Sequence, residues 1–211
     1  MGIHGLWLFM LAGVLLNITP GPDMALIIAR STRYGTRAGI AAALGVGVGV
    51  FLHIAAAAIG ISALILASAV GFTILKWAGA LYLIYLGVQM LRSSFAERGE
   101  SAPLLTLSPA PLRKVFVQGV VTNALNPKVA MFFLAFLPQF VDVDAPSKAA
   151  AFIILGLIFD SVGTIWNIAV ACLAGRFAAS DVYGHLKVWL ERTIGVLFIG
   201  LGVRLAFVEA N

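Results

Sequence analysis

The sequence is short of charge. Only 11% of its 211 residues are Asp, Glu, Lys or Arg, against 61% hydrophobic. A water-soluble domain keeps roughly a quarter of its residues charged, because its surface must face water. That shortage excludes a globule coated by its own polar side chains, so lipid must cover much of the chain. The mean hydropathy of +1.03 agrees. The single cysteine, Cys172, excludes an internal disulfide and reads as a small residue of an apolar run. Three dispersed histidines beside it form no metal-ligand spacing, so no metal site is expected. There is no Gly-x-Ser-x-Gly elbow, no His-Glu-x-x-His helix and no Walker lysine. The expectation is a protein that is not an enzyme, needs no cofactor and hydrolyses no ATP. Met1 to Leu16 holds no Lys or Arg and no small-x-small cleavage pattern, so this stretch is assigned to the first span. The net charge of +5 implies no nucleic-acid partner, because the basic residues are spread over the loops instead of forming one stripe.

What is present is a series of long apolar stretches. One helical span needs ~20 apolar residues at 1.5 Å rise. Six such spans are expected: about Gly5–Ala29, Ala38–Leu66, Phe72–Leu91, Val115–Phe140, Lys148–Leu173 and Leu190–Phe207. The predicted fold class is an all-α integral membrane protein. It is organised as a three-helix unit over 1–95, a cytoplasmic linker over 96–112 and a second three-helix unit over 113–211. Cytoplasmic loops collect Lys and Arg. Arg30, Arg33, Arg37, Arg92, Arg98, Arg113, Lys114, Arg176, Lys187 and Arg192 fall on one side, and Lys76, Lys148 and Arg204 on the other. A multi-pass protein of the bacterial inner membrane is expected, with both termini in the periplasm. Trp7, Trp77 and Trp189 lie near span ends and suit interface anchors.

The halves resemble one another. Leu86-Gly87-Val88 in the third span matches Leu201-Gly202-Val203 in the sixth, and Pro22-Asp23-Met24-Ala25 in the first matches Pro127-Lys128-Val129-Ala130 in the fourth. A three-span unit repeated once must emerge upside down, which is the inverted repeat common among secondary transporters.

Spans 1 and 4 carry breakers inside them, Thr19-Pro20-Gly21-Pro22 and Asn126-Pro127. A break at membrane depth frees backbone groups that lipid cannot satisfy, so it survives only against protein or a watery cavity. Each break is ~10 residues, roughly 15 Å, from the nearer span end by the helical rise, hence near mid-membrane. Asp23 and Lys128 restart the two half-helices with opposite charges. A zwitterion suits that arrangement: Lys128 and the half-helix N–H groups for a carboxylate, and Asp23 with Asn126 or Asn17 for an ammonium. The alternative is that Asp23 and Lys128 pair with each other and pin the halves together. The candidate substrate-binding set is thus Asn17, Pro20, Gly21, Pro22, Asp23, Asn126, Pro127 and Lys128.

Asp160 lies deep in span 5 on a polar stripe with Gly156, Thr164 and Asn167 at helical spacing. An intramembrane acid is a functional candidate by default, here for proton coupling or specificity. The competing role is a structural polar contact. His53, midway along span 2 with Gly45 and Gly49, either approaches Asp160 or bonds a neighbouring helix. The glycines of Gly45-Val46-Gly47-Val48-Gly49 have the small-xxx-small spacing of close helix packing.

Thr19-Pro20-Gly21-Pro22-Asp23, the Gly35–Gly45 segment with its arginines, Leu75-Lys76-Trp77-Ala78-Gly79-Ala80-Leu81-Tyr82-Leu83, and Asn126-Pro127-Lys128 followed by Phe132 to Phe140 resemble the LysE/RhtB family of amino-acid exporters. The resemblance covers nearly the whole chain. It implies a six-helix translocator that exports amino acids or their derivatives, with proton-motive force as the driver and a homodimer as a plausible assembly. The rival readings are the same fold moving a metal cation or another small solute, and a membrane scaffold that transports nothing.

Overall fold

The computed structural model describes residues 2–61, 110–142 and 144–176, with single helical positions and short helical runs between 77 and 95 and between 192 and 206. Six α-helices carry the described fold. They are α1 (Leu6–Ile18), α2 (Pro22–Tyr34), α3 (Thr36–Ala56), α4 (Leu112–Ala124), α5 (Pro127–Met131) and α6 (Lys148–Arg176). A π-helical turn at Ala57–Ile61 extends α3, and α5 runs on through a π-helical turn, Phe132–Phe136, and a 3-10 turn, Leu137–Phe140. Thr36–Gly60 and Lys148–Gly175 are each long and apolar enough to cross a membrane. The pairs α1–α2, bent by 49°, and α4–α5 with its extension, bent by 45°, meet the same test together. Among the described residues this makes up to four spans. The rest of the anticipated third and sixth spans and the linker as far as residue 109 lie outside the described residues, as do Lys76, Arg98, Lys187, Trp189 and Arg204.

Both anticipated breaks are real interruptions. The expected first span, Gly5–Ala29, is two helices, and its second half runs past Ala29 to Tyr34. Gly35, at φ +85°, then makes the turn into α3 alone, a conformation that favours glycine. Arg30 is thereby a helix residue and not a loop residue. It is 3% exposed, its Nη2 donates to Gln118 Oε1 at 2.6 Å, and its guanidinium lies 5.5 Å from the Tyr34 ring centre. A guanidinium so bonded tolerates burial that composition alone would assign to a loop. Likewise α4 begins at Leu112, three residues before the expected start, and α6 runs to Arg176. Ser147 Oγ caps α6 by accepting the Ala150 N–H at 3.3 Å.

Two apolar clusters sandwich the breaks. The larger, toward the His4 end, is built on Phe9, Phe132, Phe133, Phe136, Phe140 and Phe159. Phe132 stacks on Phe159 at 4.8 Å between ring centres, and Phe133 meets the same ring edge-on at 5.4 Å. The smaller, toward the Arg30 end, holds Leu26, Ile27, Ala42, Ala43, Val46, Val115 and Ala171. The outer faces keep large apolar side chains exposed, among them Trp7, Leu125 and Ile165, as a lipid-facing surface requires. At the His4 end, Gly2–His4 pairs with Phe140–Asp142 through His4 N–H to Phe140 O (3.1 Å) and Asp142 N–H to Gly2 O (2.8 Å).

Helix approach depends on glycine. A Cβ on Gly119 would strike Ala42 O of α3, and one on Gly45 would strike Phe116 O of α4. A Cβ on Gly13 would lie 3.2 Å from the Phe159 ring, and one on Gly163 would lie 2.7 Å from Asn17 Oδ1. Gly49 faces the Asn123 side chain at 2.8 Å in the same sense. Beyond these, Gly87 abuts Gly195 O and Ile199, and Gly202 abuts Ala80 O and Ile84.

Gly119→Leu is therefore expected to lower stability in detergent by about 3 kcal/mol or prevent folding, since backbone cannot give way. Gly200→Ala, whose added methyl meets nothing within 4 Å, should leave the melting temperature unchanged or slightly raised. Melting curves of the two purified variants check the contrast.

Candidate functional site

α1 ends because Pro20 and Pro22 have no N–H to give. The carbonyls four residues earlier, Leu16 O and Ile18 O, lose their helical donors. Thr19 turns the chain extended and returns its Oγ1 to Leu15 O at 2.6 Å. Gly21, fully extended at φ −168°, leads into Pro22, the first residue of α2. In the second half, Pro127 takes the helical donor from Asn123 O. Asn126 then caps α5, its Oδ1 accepting the Lys128 N–H at 3.0 Å.

The side chains at the breaks repair one another's helices across the halves. Lys128 Nζ donates to Leu16 O at 3.1 Å and to Thr19 O at 2.9 Å. It fits because residue 21 is glycine; a Cβ there would lie 3.2 Å from Nζ. Asp23, in the first turn of α2 where the helix dipole favours an anion, accepts Asn123 Nδ2 at 2.9 Å and Asn126 Nδ2 at 2.8 Å, both on Oδ2. His53 of α3 bonds Asn123 O through Nε2 at 3.0 Å, and the Asn126 N–H donates to the same oxygen at 2.8 Å, so the two together stand in for the donor that Pro127 lacks. Asp23 and Lys128 form no ion pair within 4 Å of one another, unlike His4 and Asp142, which lie 3.7 Å apart and largely exposed.

Asp23, Lys128, Asn17, Asp160, Thr164 and Asn167 line a single cavity, with Leu16, Met24, Val46, Val50, Val129 and Phe159 as its apolar walls. Thr164 Oγ1 donates to Asp160 Oδ1 at 3.2 Å. Gly47 of α3 lies opposite both, where a Cβ would meet Thr164 Oγ1 at 2.5 Å and Asp160 Oδ1 at 3.4 Å. The cavity measures about 20 Å³, room for about one water and far too little for an amino acid. The polar centre of this conformer is tightly packed. Pro20, Gly21, Pro22, Asn126 and Pro127 shape the breaks without lining the cavity, and His53 packs behind it with its ring 5.9 Å from that of Phe133.

The residue that sequence reading passed over is Asn123, 1% exposed and bonded to Asp23. Its position four residues before Pro127 marks it as the owner of a carbonyl that loses its helical donor. Three buried polar atoms here have no hydrogen-bond partner: Asp23 Oδ1, Asn123 Oδ1 and Asn17 Nδ2.

A family model described as LysE type translocator matches residues 14–208. A leucine efflux protein of Salmonella typhimurium is 28% identical over 211 residues, covering 99% of this chain and 98% of the relative. Membrane proteins of uncharacterized function from Vibrio cholerae and Pseudomonas aeruginosa are 32% and 31% identical. The first covers 100% of both chains, the second 98% of this chain and 96% of its own. No solved structure matches the chain.

Lys128→Met should destabilise the protein by about 2–4 kcal/mol, because Leu16 O and Thr19 O lose their donor and the Asp23 charge loses its nearby cation. Thermal unfolding in detergent measures this; an unaltered melting curve would mean that Lys128 does not hold the first break.

Proposed function

This chain belongs to the LysE type translocator family, a family of membrane transporters and not enzymes, and we propose that it exports neutral amino acids such as leucine by proton-coupled alternating access. The similarity to a leucine efflux protein over nearly the full chain supports the choice of cargo. One observation carries the assignment of the site: two opposite charges at two helix breaks face one small cavity, each bonded to the other half.

A zwitterion can take over those bonds with little net loss. Its carboxylate accepts from Lys128 Nζ, two of whose three donors now serve backbone carbonyls. Its ammonium turns to Asp23. Cargo therefore replaces the internal partners that keep the breaks together, and the cavity opens as they part. The apolar walls from Val46, Val50, Met24 and Phe159 suit an aliphatic side chain. Asp160, bonded only through Thr164 at the cavity edge, serves as the proton carrier.

Reciprocal contacts favour two inverted repeats. When α1 is laid on α4 so that Asn17 falls on Asn123, Gly13 falls on Gly119. When α6 is laid on α3 so that Gly163 falls on Gly49, Phe159 falls on Gly45. The contacts Gly13–Phe159 and Asn17–Gly163 then coincide with Gly119–Gly45 and Asn123–Gly49. The pair Gly87–Gly195 likewise coincides with Gly202–Ala80, as a two-fold axis demands. Six spans with both termini outside the cytoplasm, in a bacterial inner membrane, complete the reading. The six phenylalanines then seal the outer half and the Arg30–Gln118 bond bridges the inner half.

Counterflow in proteoliposomes with labelled amino acids should show exchange of leucine and other aliphatic amino acids; uptake of none by folded protein removes the proposal. Asp160→Asn should abolish accumulation driven by an imposed pH gradient while leucine exchange continues. If accumulation persists at the wild-type level, Asp160 is not the proton carrier.

A further inference from the structure

The orientation of the Asn123 side chain follows from its neighbours by elimination. The Lys128 N–H can only donate, so Asn126 presents Oδ1 to it and must turn Nδ2 toward Asp23. The Asp23 carboxylate only accepts, so Asn123 also meets it with Nδ2. Asn123 Oδ1 is left without a partner although the residue is 1% exposed. The other carboxylate oxygen, Asp23 Oδ1, is in the same condition, and both residues line the cavity.

Asn123 is also held still. Its carbonyl oxygen accepts from His53 Nε2 at 3.0 Å and from the Asn126 N–H at 2.8 Å. Its Cβ and Oδ1 both pack against Gly49, 2.8 and 3.1 Å from where a Cβ on that glycine would stand. A fixed, buried acceptor with no partner is costly to keep, and native proteins hold few of them. Two of them, on side chains that bond each other, call for one ligand bearing at least two N–H donors.

We propose that Asn123 Oδ1 is a cargo-binding atom that, together with Asp23 Oδ1, receives the primary ammonium of the cargo and selects against N-alkylated and amine-free analogues. The inference rests on the zwitterion reading of the cavity and adds to it a second acceptor and a selection rule. Leucine offers three N–H donors, N-methylleucine two and N,N-dimethylleucine one, whereas 4-methylpentanoate offers none. With two acceptors in the site, the first methyl is tolerated and the second breaks a hydrogen bond. Asn123→Leu removes the acceptor, and with it the Nδ2 donor to Asp23, while keeping the branching and the number of side-chain heavy atoms and adding bulk, so a methylation step that vanishes in it reports hydrogen bonding and not crowding.

The test is competition by these four compounds against labelled leucine in proteoliposome exchange, for wild type and Asn123→Leu. For wild type, apparent affinity should fall about tenfold between N-methylleucine and N,N-dimethylleucine, the scale of one hydrogen bond, and further for 4-methylpentanoate. In Asn123→Leu, leucine should bind about tenfold more weakly and the step between the two methylated forms should vanish. A step of unchanged size in that variant means crowding sets the selection and overturns the assignment. Should the variant not fold, wild type decides alone, because equal competition by leucine and N,N-dimethylleucine excludes a second acceptor. Absence of leucine exchange in wild type removes the cargo reading itself, an outcome distinct from leucine exchange without the methylation step.

Discussion

The structure turns on backbone carbonyls that proline has deprived of their donors. Pro20 leaves Leu16 O, and Pro127 leaves Asn123 O, without the N–H that an unbroken helix supplies. At membrane depth water is not at hand to replace it, and each bare group is costly. The other half of the chain supplies a donor in both cases, joined at Asn123 O by the neighbouring Asn126 N–H. Lys128 reaches back to α1, and His53 reaches forward to α4. Leu16 O in the first break depends on the other half for its donor, and Asn123 O in the second gains a further one from it, so association of the halves stabilises both breaks.

That dependence shapes the cavity. Because the charges spend their bonding on the opposite half, they hold it small, with space for little more than a water. An isolated Asp or Lys at this depth would be expensive. Here Asp23 takes two amide donors and Lys128 two carbonyls, and their opposite signs lie in one cavity. A ligand with both signs can take over part of that bonding without exposing either charge to lipid. The glycines let this happen at close range: Gly21 admits the lysine, and Gly49 and Gly163 admit the two asparagines.

Much of this was legible in the sequence, for physical reasons. Scarce charge and long apolar stretches reveal the membrane setting, because solvation is a property of composition. Proline inside an apolar stretch reveals a break, because its lack of an N–H holds in any context. The family was legible from the same breaker motifs, and the matching family model agrees. Partners were not legible. His53 and Asp160 seemed possible neighbours from helix order, yet His53 meets Asn123 O while Asp160 meets Thr164. Arg30 looked like a loop residue, because nothing nearby in sequence announces that Gln118 will bond it.

Sequence alone determined the kind of chain, the places where its helices break and the charges set at those breaks, since each follows from covalent chemistry and solvation. Only the tertiary structure decided which groups those charges serve. Asp23 and Lys128 bond the opposite half without forming an ion pair with one another, because the crossing of α1–α2 with α4–α5 brings each charge within reach of the other break's amides and carbonyls. It also decided that Asn123 is central, since burial and an unshared oxygen emerge only when helices from both halves close around one residue.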